Sequence, residues 1–266
     1  MSAGNVGETE YAALIQHNAV QLSALSAGDM QHSKDAESHL ADRVVRLVVD
    51  RALDGTYPPG TLLPREQDLA VEAGVSRLTV REGIRVLRTK NVVQIHRGRG
   101  TLVNPVDNWA PLDAQLLIAQ CQYPARARAL ARQLMELRQI VEVGLAGLAA
   151  ERSDRSSVLA IEDALQQMRD TDVVDLAAFN AADLAFHDAV MAAADNELIV
   201  AILHPIRGLL QEMRRRTGAH AELHARALSE HAAILDAIAS GDPARARTIM
   251  GAHLSFTSSV LREAND

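Results

Sequence analysis

From Leu112 onward apolar residues recur at helical spacing, and no run alternates as a half-buried strand would. The longest such segment, Ala125–Glu151, places Leu130, Leu134, Leu137, Val141, Leu145 and Leu148 three or four residues apart, so they form one stripe. Leu112–Gln120, Ser156–Asp170, Leu176–Ala194, Leu198–Arg216, Ala221–Ala239 and Pro243–Glu263 repeat the pattern. In Ser156–Asp170 the apolar face reads as Leu159, Ala160, Ala164 and Met168. The pattern predicts an antiparallel bundle of six or seven helices over residues 112–262.

Upstream the elements shorten. A helix is expected from Ser38, with Leu40, Val44, Leu47 and Val48 on one face, ending before Gly55 and Pro58-Pro59-Gly60. Leu69 and Ala70 mark a short second helix, Gly74 a turn, and Ser76 the N-cap of a third, which is helix-turn-helix spacing. In that third helix Val80, Ile84 and Leu87 share a buried face, while Ser76, Arg77, Thr79 and Arg81 point away from it. Val92–Ile95 and Thr101–Val103 are β-prone runs around Arg97-Gly98-Arg99-Gly100, a two-stranded wing with a basic tip. The chain is thus expected to be mostly α, with an N-terminal winged helix-turn-helix over residues 36–104 and the C-terminal bundle. Residues 105–111 form a linker in which Trp109 is expected to pack between head and body. Residues 1–35 are a polar arm with a weak helical pattern over Tyr11–Leu25, and no function is assigned to them.

Composition supports this division. Of 266 residues 48% are hydrophobic and only 3% aromatic, which fits an Ala/Leu/Val-rich helical core. The single cysteine, Cys121, excludes an internal disulfide framework, and neither an apolar leader nor a membrane-length apolar run occurs, so the cytoplasm is the expected compartment. Charge changes the picture more. Between Val75 and Asn104 seven Lys/Arg face one acid, Glu82, giving 7 − 1 = +6 within a chain of net −7. A local basic patch on an otherwise acidic chain is the footprint of a nucleic-acid-binding module.

The order of residues is more specific. Pro58-Pro59-Gly60 with Leu62-Leu63-Pro64, then Glu66-x-x-Leu69-Ala70, GVSR-x-TVRE from Gly74 and GRGT-x-V from Gly98 resemble the winged-helix head of the GntR superfamily of bacterial transcription regulators. The resemblance implies DNA contacts from Arg77 and Arg81, from the hydroxyls of Ser76 and Thr79, from Arg65 and Gln67 at the start of the second helix, and from Arg97 and Gly98 at the wing tip. Three positions depart from the family. Gln67 stands where many relatives have arginine, which suits adenine rather than guanine. Gly83-Ile84 replaces Ala-Leu, and Asn91 replaces the glycine before the wing.

In the body, Asp183 and His187 are four residues apart on one predicted helix and share a face. His231 lies eleven residues before Asp242 and His253 eleven after it, and Gly241-Asp242-Pro243 ends one helix and starts the next. Equal arms of a hairpin place both histidines at one height, roughly 16 Å from the turn at 1.5 Å per residue. Each residue alone is an ordinary helix surface or core residue; together, one Asp and three His can converge. Glu136-Leu137-Arg138, LAAER from Leu148, Asp183-x-x-Phe186-His187, Asn196, EHAAILDAI from Glu230 and His253-Leu254 resemble the FadR-type C-terminal ligand-binding (FCD) domain. The resemblance implies one divalent ion per chain held by Asp183, His187, His231 and His253, in the metal-binding, carboxylate-sensing branch. A three-nitrogen, one-oxygen set admits zinc, nickel or manganese. Arg138 then takes an effector carboxylate, or alternatively pairs with Glu142 on the same helix.

These readings describe a DNA-binding transcription regulator, not an enzyme. It acts as a homodimer on a pseudo-palindromic double-stranded operator, with no membrane partner, and a small organic acid controls it. A regulator for which the ion itself is the signal, and a metallohydrolase with a DNA-binding head, are the alternatives. For the latter only Glu230, beside His231, offers a base close in sequence.

Overall fold

The computed structural model describes residues 39–172, 175–217 and 221–263. The arm 1–35, the helical pattern over Tyr11–Leu25 and the expected helix start at Ser38 lie outside the described residues. The chain divides into two compact units, Met1–Trp109 and Ala110–Asp266.

The first unit contains α1 (39–53), α2 (Glu66–Ala73), α3 (Arg77–Thr89), β1 (Val93–His96) and β2 (Gly100–Val103). In α1 the buried positions are Ala41, Val44, Val45, Val48, Val49 and Ala52, whereas Leu40 is exposed. Gly74 closes α2 in the left-handed conformation, and Ser76 caps α3 by accepting from Thr79 N at 3.1 Å. Val80, Ile84 and Leu87 are buried as their spacing required. β1 and β2 pair antiparallel, with Val93 opposite Val103 and His96 opposite Gly100. The segment before α2 extends this ladder: Leu63 N donates to Thr101 O and Val103 N to Thr61 O.

Two departures from the family have local causes. A Cβ on Gly83 would lie 2.7 Å from Val44 Cβ, so glycine lets α3 press against α1. Asn91 has φ +57, a left-handed position that asparagine tolerates, and its side-chain amide donates to Asn108 O. Trp109 is the last residue of this unit, and its indole N–H donates to Asn104 O at 3.1 Å.

The second unit is helical: α4 (Ala114–Gln120), α5 (Pro124–Arg152), α6 (Arg155–Asp170), α7 (Leu176–Ala193), α8 (Glu197–Leu203), α9 (Arg207–Thr217), α10 (Ala221–Ala239) and α11 (Pro243–Glu263). The single helix expected over Leu198–Arg216 is two, because a 3-10 turn at His204–Ile206 intervenes and Pro205 has no N–H to continue the α-helical ladder. The buried face of α6 is Ile161, Ala164, Leu165 and Met168; Ala164 and Met168 are on it as expected, whereas Leu159 and Ala160 are exposed and Ile161 and Leu165 take their place. α5 packs along α11 and α7, α6 on α7 and α10, and α10 on α11. Leu145, Ala149, Leu165, Phe186, Ile234 and Met250 are among the residues of their shared core. The α10–α11 turn forms as its residues dictate. Gly241 is left-handed at φ +65, and Asp242 accepts from Arg245 N at 3.0 Å.

Candidate functional site

In the first unit the polar face of α3 and the wing present guanidinium groups to solvent. Arg65 is the residue before α2, and with Arg81, Arg85, Arg88 and Arg99 it lines a groove of about 580 Å³. Two acids pair with them, Glu82, whose Oε2 lies 2.8 Å from Arg85 Nη2, and Glu66. Glu66 Oε2 lies 2.8 Å from Arg81 Nε and 4.0 Å from Arg77 Nη2. Holding Arg81 by its Nε edge leaves the two terminal nitrogens, the pair that fits guanine O6 and N7. The hydroxyls of Ser76 and Thr79 are 2.9 Å apart, so they first serve the start of α3. Gln67, Arg97 and Gly98 are exposed, and Gly98 has φ +77 at the tip of the wing.

In the second unit Asp183 and His187 on α7, His231 on α10 and His253 on α11 are all buried, and one ligand atom from each lies within 4.8 Å of the others. His187 Nε2 is 3.3 Å from His231 Nε2 and 3.8 Å from Asp183 Oδ2; His231 Nε2 is 3.6 Å from Asp183 Oδ1. These spacings bracket the roughly 3.4 Å separating two donors that each bond one tetrahedral ion at about 2.1 Å. The charge pattern agrees. His187 Nδ1 is 2.8 Å from Glu142 Oε2, although off the ideal hydrogen-bond angle, and His253 Nδ1 is 2.8 Å from Glu230 Oε2. A carboxylate accepts only, so each imidazole carries its proton on Nδ1 and turns the lone pair of Nε2 inward. His253 Nε2 is buried with no hydrogen-bond partner. Burial pushes the His187 imidazole down, which keeps it neutral. Two inward lone pairs beside the buried Asp183 carboxyl make a donor cluster suited to a cation.

Each supporting carboxylate has its own arginine. Arg138 Nε and Nη2 reach Glu142 at 2.5 and 3.2 Å, and Arg226 Nε reaches Glu230 at 2.7 Å. Burial alone would raise the Glu142 carboxyl, but Arg138 and His187 together hold it below the usual carboxylate range. The pair considered as the alternative role of Arg138 therefore exists, yet it leaves Arg138 Nη1 buried and without a partner. Arg138, Glu142 and His187 line a cavity of about 230 Å³ whose remaining wall is mostly aliphatic. Asp183, His231 and His253 do not line it, so His187 is the member of the cluster at the cavity wall.

Residues 40–103 match the family of bacterial regulatory proteins described as the gntR family, and residues 133–256 match the FCD domain. The galactonate operon transcriptional repressor of Escherichia coli is 34% identical over 76% of this chain and 87% of its own length. The transcriptional regulator LutR of Bacillus subtilis is 33% identical over 78% of this chain and 94% of its own. The chain belongs to the GntR family of transcriptional regulators. Its FCD domain fits the FadR-type branch, and GntR regulators bind operator DNA. At the level of fold, the GntR regulator also resembles the solved structure of Lar from Listeria monocytogenes, with TM-score 0.58 and 21% identity over 84% of this chain and 96% of that one. The relatives are regulators rather than enzymes. Among the regulator's described residues no helix is long and apolar enough to cross a membrane.

The sequence reading missed the orienting roles of Glu142 and Glu230. Glu230, considered there as a base beside His231, is turned toward His253. An acid one helical turn after an arginine, as Glu142 is, or beside a histidine, as Glu230 is, is too common to signal this. Asp188, His204 and Arg207, which also line the cavity, were missed as well; Pro205 was the available clue that this stretch turns.

Proposed function

We propose that this regulator binds a small organic acid beside a divalent ion in its C-terminal unit, and that the acid sets its affinity for operator DNA. The observation that carries the reading is Arg138 Nη1, a buried cationic donor without a partner, in the cavity wall that also contains His187. A carboxylate entering a mostly aliphatic cavity needs positive charge to offset its lost hydration. Arg138 supplies a directional donor, and an ion held by Asp183, His187, His231 and His253 would supply charge and, where its shell is six-coordinate rather than tetrahedral, open positions for the acid. Zinc, nickel and manganese all suit the donor set. The cavity favours an acid signal over the ion itself as the signal, because an ion-only sensor has no use for the unpartnered guanidinium.

On this reading residues 36–104 form the DNA-binding domain, 105–111 the linker and 112–262 the effector and dimerisation domain. Arg65, Gln67, Ser76, Arg77, Thr79, Arg81, Arg97 and Gly98 face the operator. One helix-turn-helix per chain gives limited specificity, so a homodimer reads two half-sites of a pseudo-palindrome, in the cytoplasm where the DNA lies. The acid acts by binding more tightly to one of two conformations. The name of one relative, the galactonate operon repressor, makes galactonate the first compound to try. The test is a mobility-shift titration on an operator duplex selected from a random pool, with metal-loaded and chelator-stripped protein. An acid that shifts operator affinity only in the loaded protein supports the reading; an equal shift in both forms refutes the metal's part in it.

A further inference from the structure

The effector cavity has a second cationic group in its wall. Arg207, at the start of α9, bonds Asp188 Oδ2 through Nη2 at 2.7 Å, yet its Nε is buried with no hydrogen-bond partner. Arg207, Asp188 and His204 all line the same cavity as Arg138. The rest of the lining, Glu142 and His187 apart, is apolar, with Leu137, Val141, Met191, Leu203 and Leu210 among its residues.

From this arrangement we infer that the effector is a monocarboxylic acid with an apolar body and one hydroxyl, which a different arginine from the one on the carboxylate receives. The inference rests on the acid-binding reading above and narrows it. Arg138 Nη1 takes the carboxylate. Arg207 Nε offers one hydrogen bond to an acceptor, and a hydroxyl can accept it while donating to Asp188 or His204. A second carboxylate fits poorly, because Asp188 already balances the charge of Arg207 and would repel it. A sugar acid with a hydroxyl on every carbon fits poorly too. Most of its hydroxyls would lose water against the apolar lining and gain no partner there. The ligand class therefore differs from the one that the galactonate repressor's name alone suggests.

Calorimetric titration of the full-length, metal-loaded protein tests this with four series of probes. These are straight-chain acids from butanoate to octanoate, their monohydroxy acids with the hydroxyl on the second or the last carbon, the matching dicarboxylates, and galactonate. At the best chain length the hydroxy acid is expected to bind about tenfold more tightly than the plain acid, and more tightly than the dicarboxylate or galactonate. Arg207→Leu, alone or with Asp188→Asn to keep the charge balanced, should bring the ratio of hydroxy to plain acid close to one. The ratio is taken within each variant, so a general folding defect does not mimic the result. Tightest binding by galactonate or a dicarboxylate, or a ratio that Arg207→Leu leaves intact, overturns this inference and spares the acid-binding reading. Binding of none of the four series overturns both.

Discussion

Two arginine–glutamate pairs, one in each unit, have similar geometry and opposite surroundings. In the head Arg81 Nε meets Glu66 at 2.8 Å with the two side chains 59% and 35% exposed; in the body Arg138 Nε meets Glu142 at 2.5 Å with 4% and 7% exposed. In water the attraction is screened and either partner exchanges easily, so Arg81 can leave Glu66 for a base or phosphate. In the body both charges have lost their hydration and each depends on the other, so the pair is a fixed part of the site that orients His187. The same two residue types thus make a releasable contact in one unit and a rigid support in the other. The solvent around them decides which.

The largest expected effect comes from breaking the buried pair. Glu142→Ala leaves Arg138 charged and uncompensated and should destabilise the body by about 3–5 kcal/mol in a denaturant melt. Glu66→Ala in the head should change stability by no more than about 1 kcal/mol. Comparable losses from the two substitutions would remove the distinction between the units.

Next in size is the contact that the exposed pair is free to make. Arg81→Ala should weaken operator binding by about 1–3 kcal/mol with the fold intact, read by mobility shift and circular dichroism. Unchanged affinity would take α3 out of the DNA interface. Gly83→Ala, behind the same helix, should destabilise the head by about 1–3 kcal/mol because its Cβ meets Val44, although alanine is the better helix former. A more stable Gly83→Ala protein would mean that α1 and α3 are not pressed together there.

What the sequence disclosed follows from the same physics. Helical geometry is rigid, so the equal spacing of His231 and His253 about Asp242 was enough to expect them side by side, and their ring centroids lie 4.6 Å apart. The α3 face was legible because Val80, Ile84 and Leu87 alternate cleanly with charged residues. Side-chain pairing across helices was not, since nothing local distinguishes Glu142 or Glu230 from a solvated acid. Leu159 misled because a leucine at helical spacing is taken as core, whereas Ile161 and Leu165 set the buried face of α6. Asn91 and Gly83 looked like departures from a family pattern until the left-handed φ and the approach of Val44 gave each a cause.

The central claim is that the body's buried positive groups, Arg138 and a bound ion, jointly hold the acid. A calorimetric titration of one short hydroxy acid into metal-loaded, chelator-stripped and Arg138→Gln protein tests it most directly, with metal content measured on each sample. The account predicts about one divalent ion per chain in the loaded wild type and in Arg138→Gln. It also predicts acid binding weakened about tenfold or more both by stripping and by the substitution, as expected on removing a charged partner from a desolvated site. Equal binding by all three forms would contradict it and leave Asp183, His187, His231 and His253 as a buried polar cluster with no part in sensing.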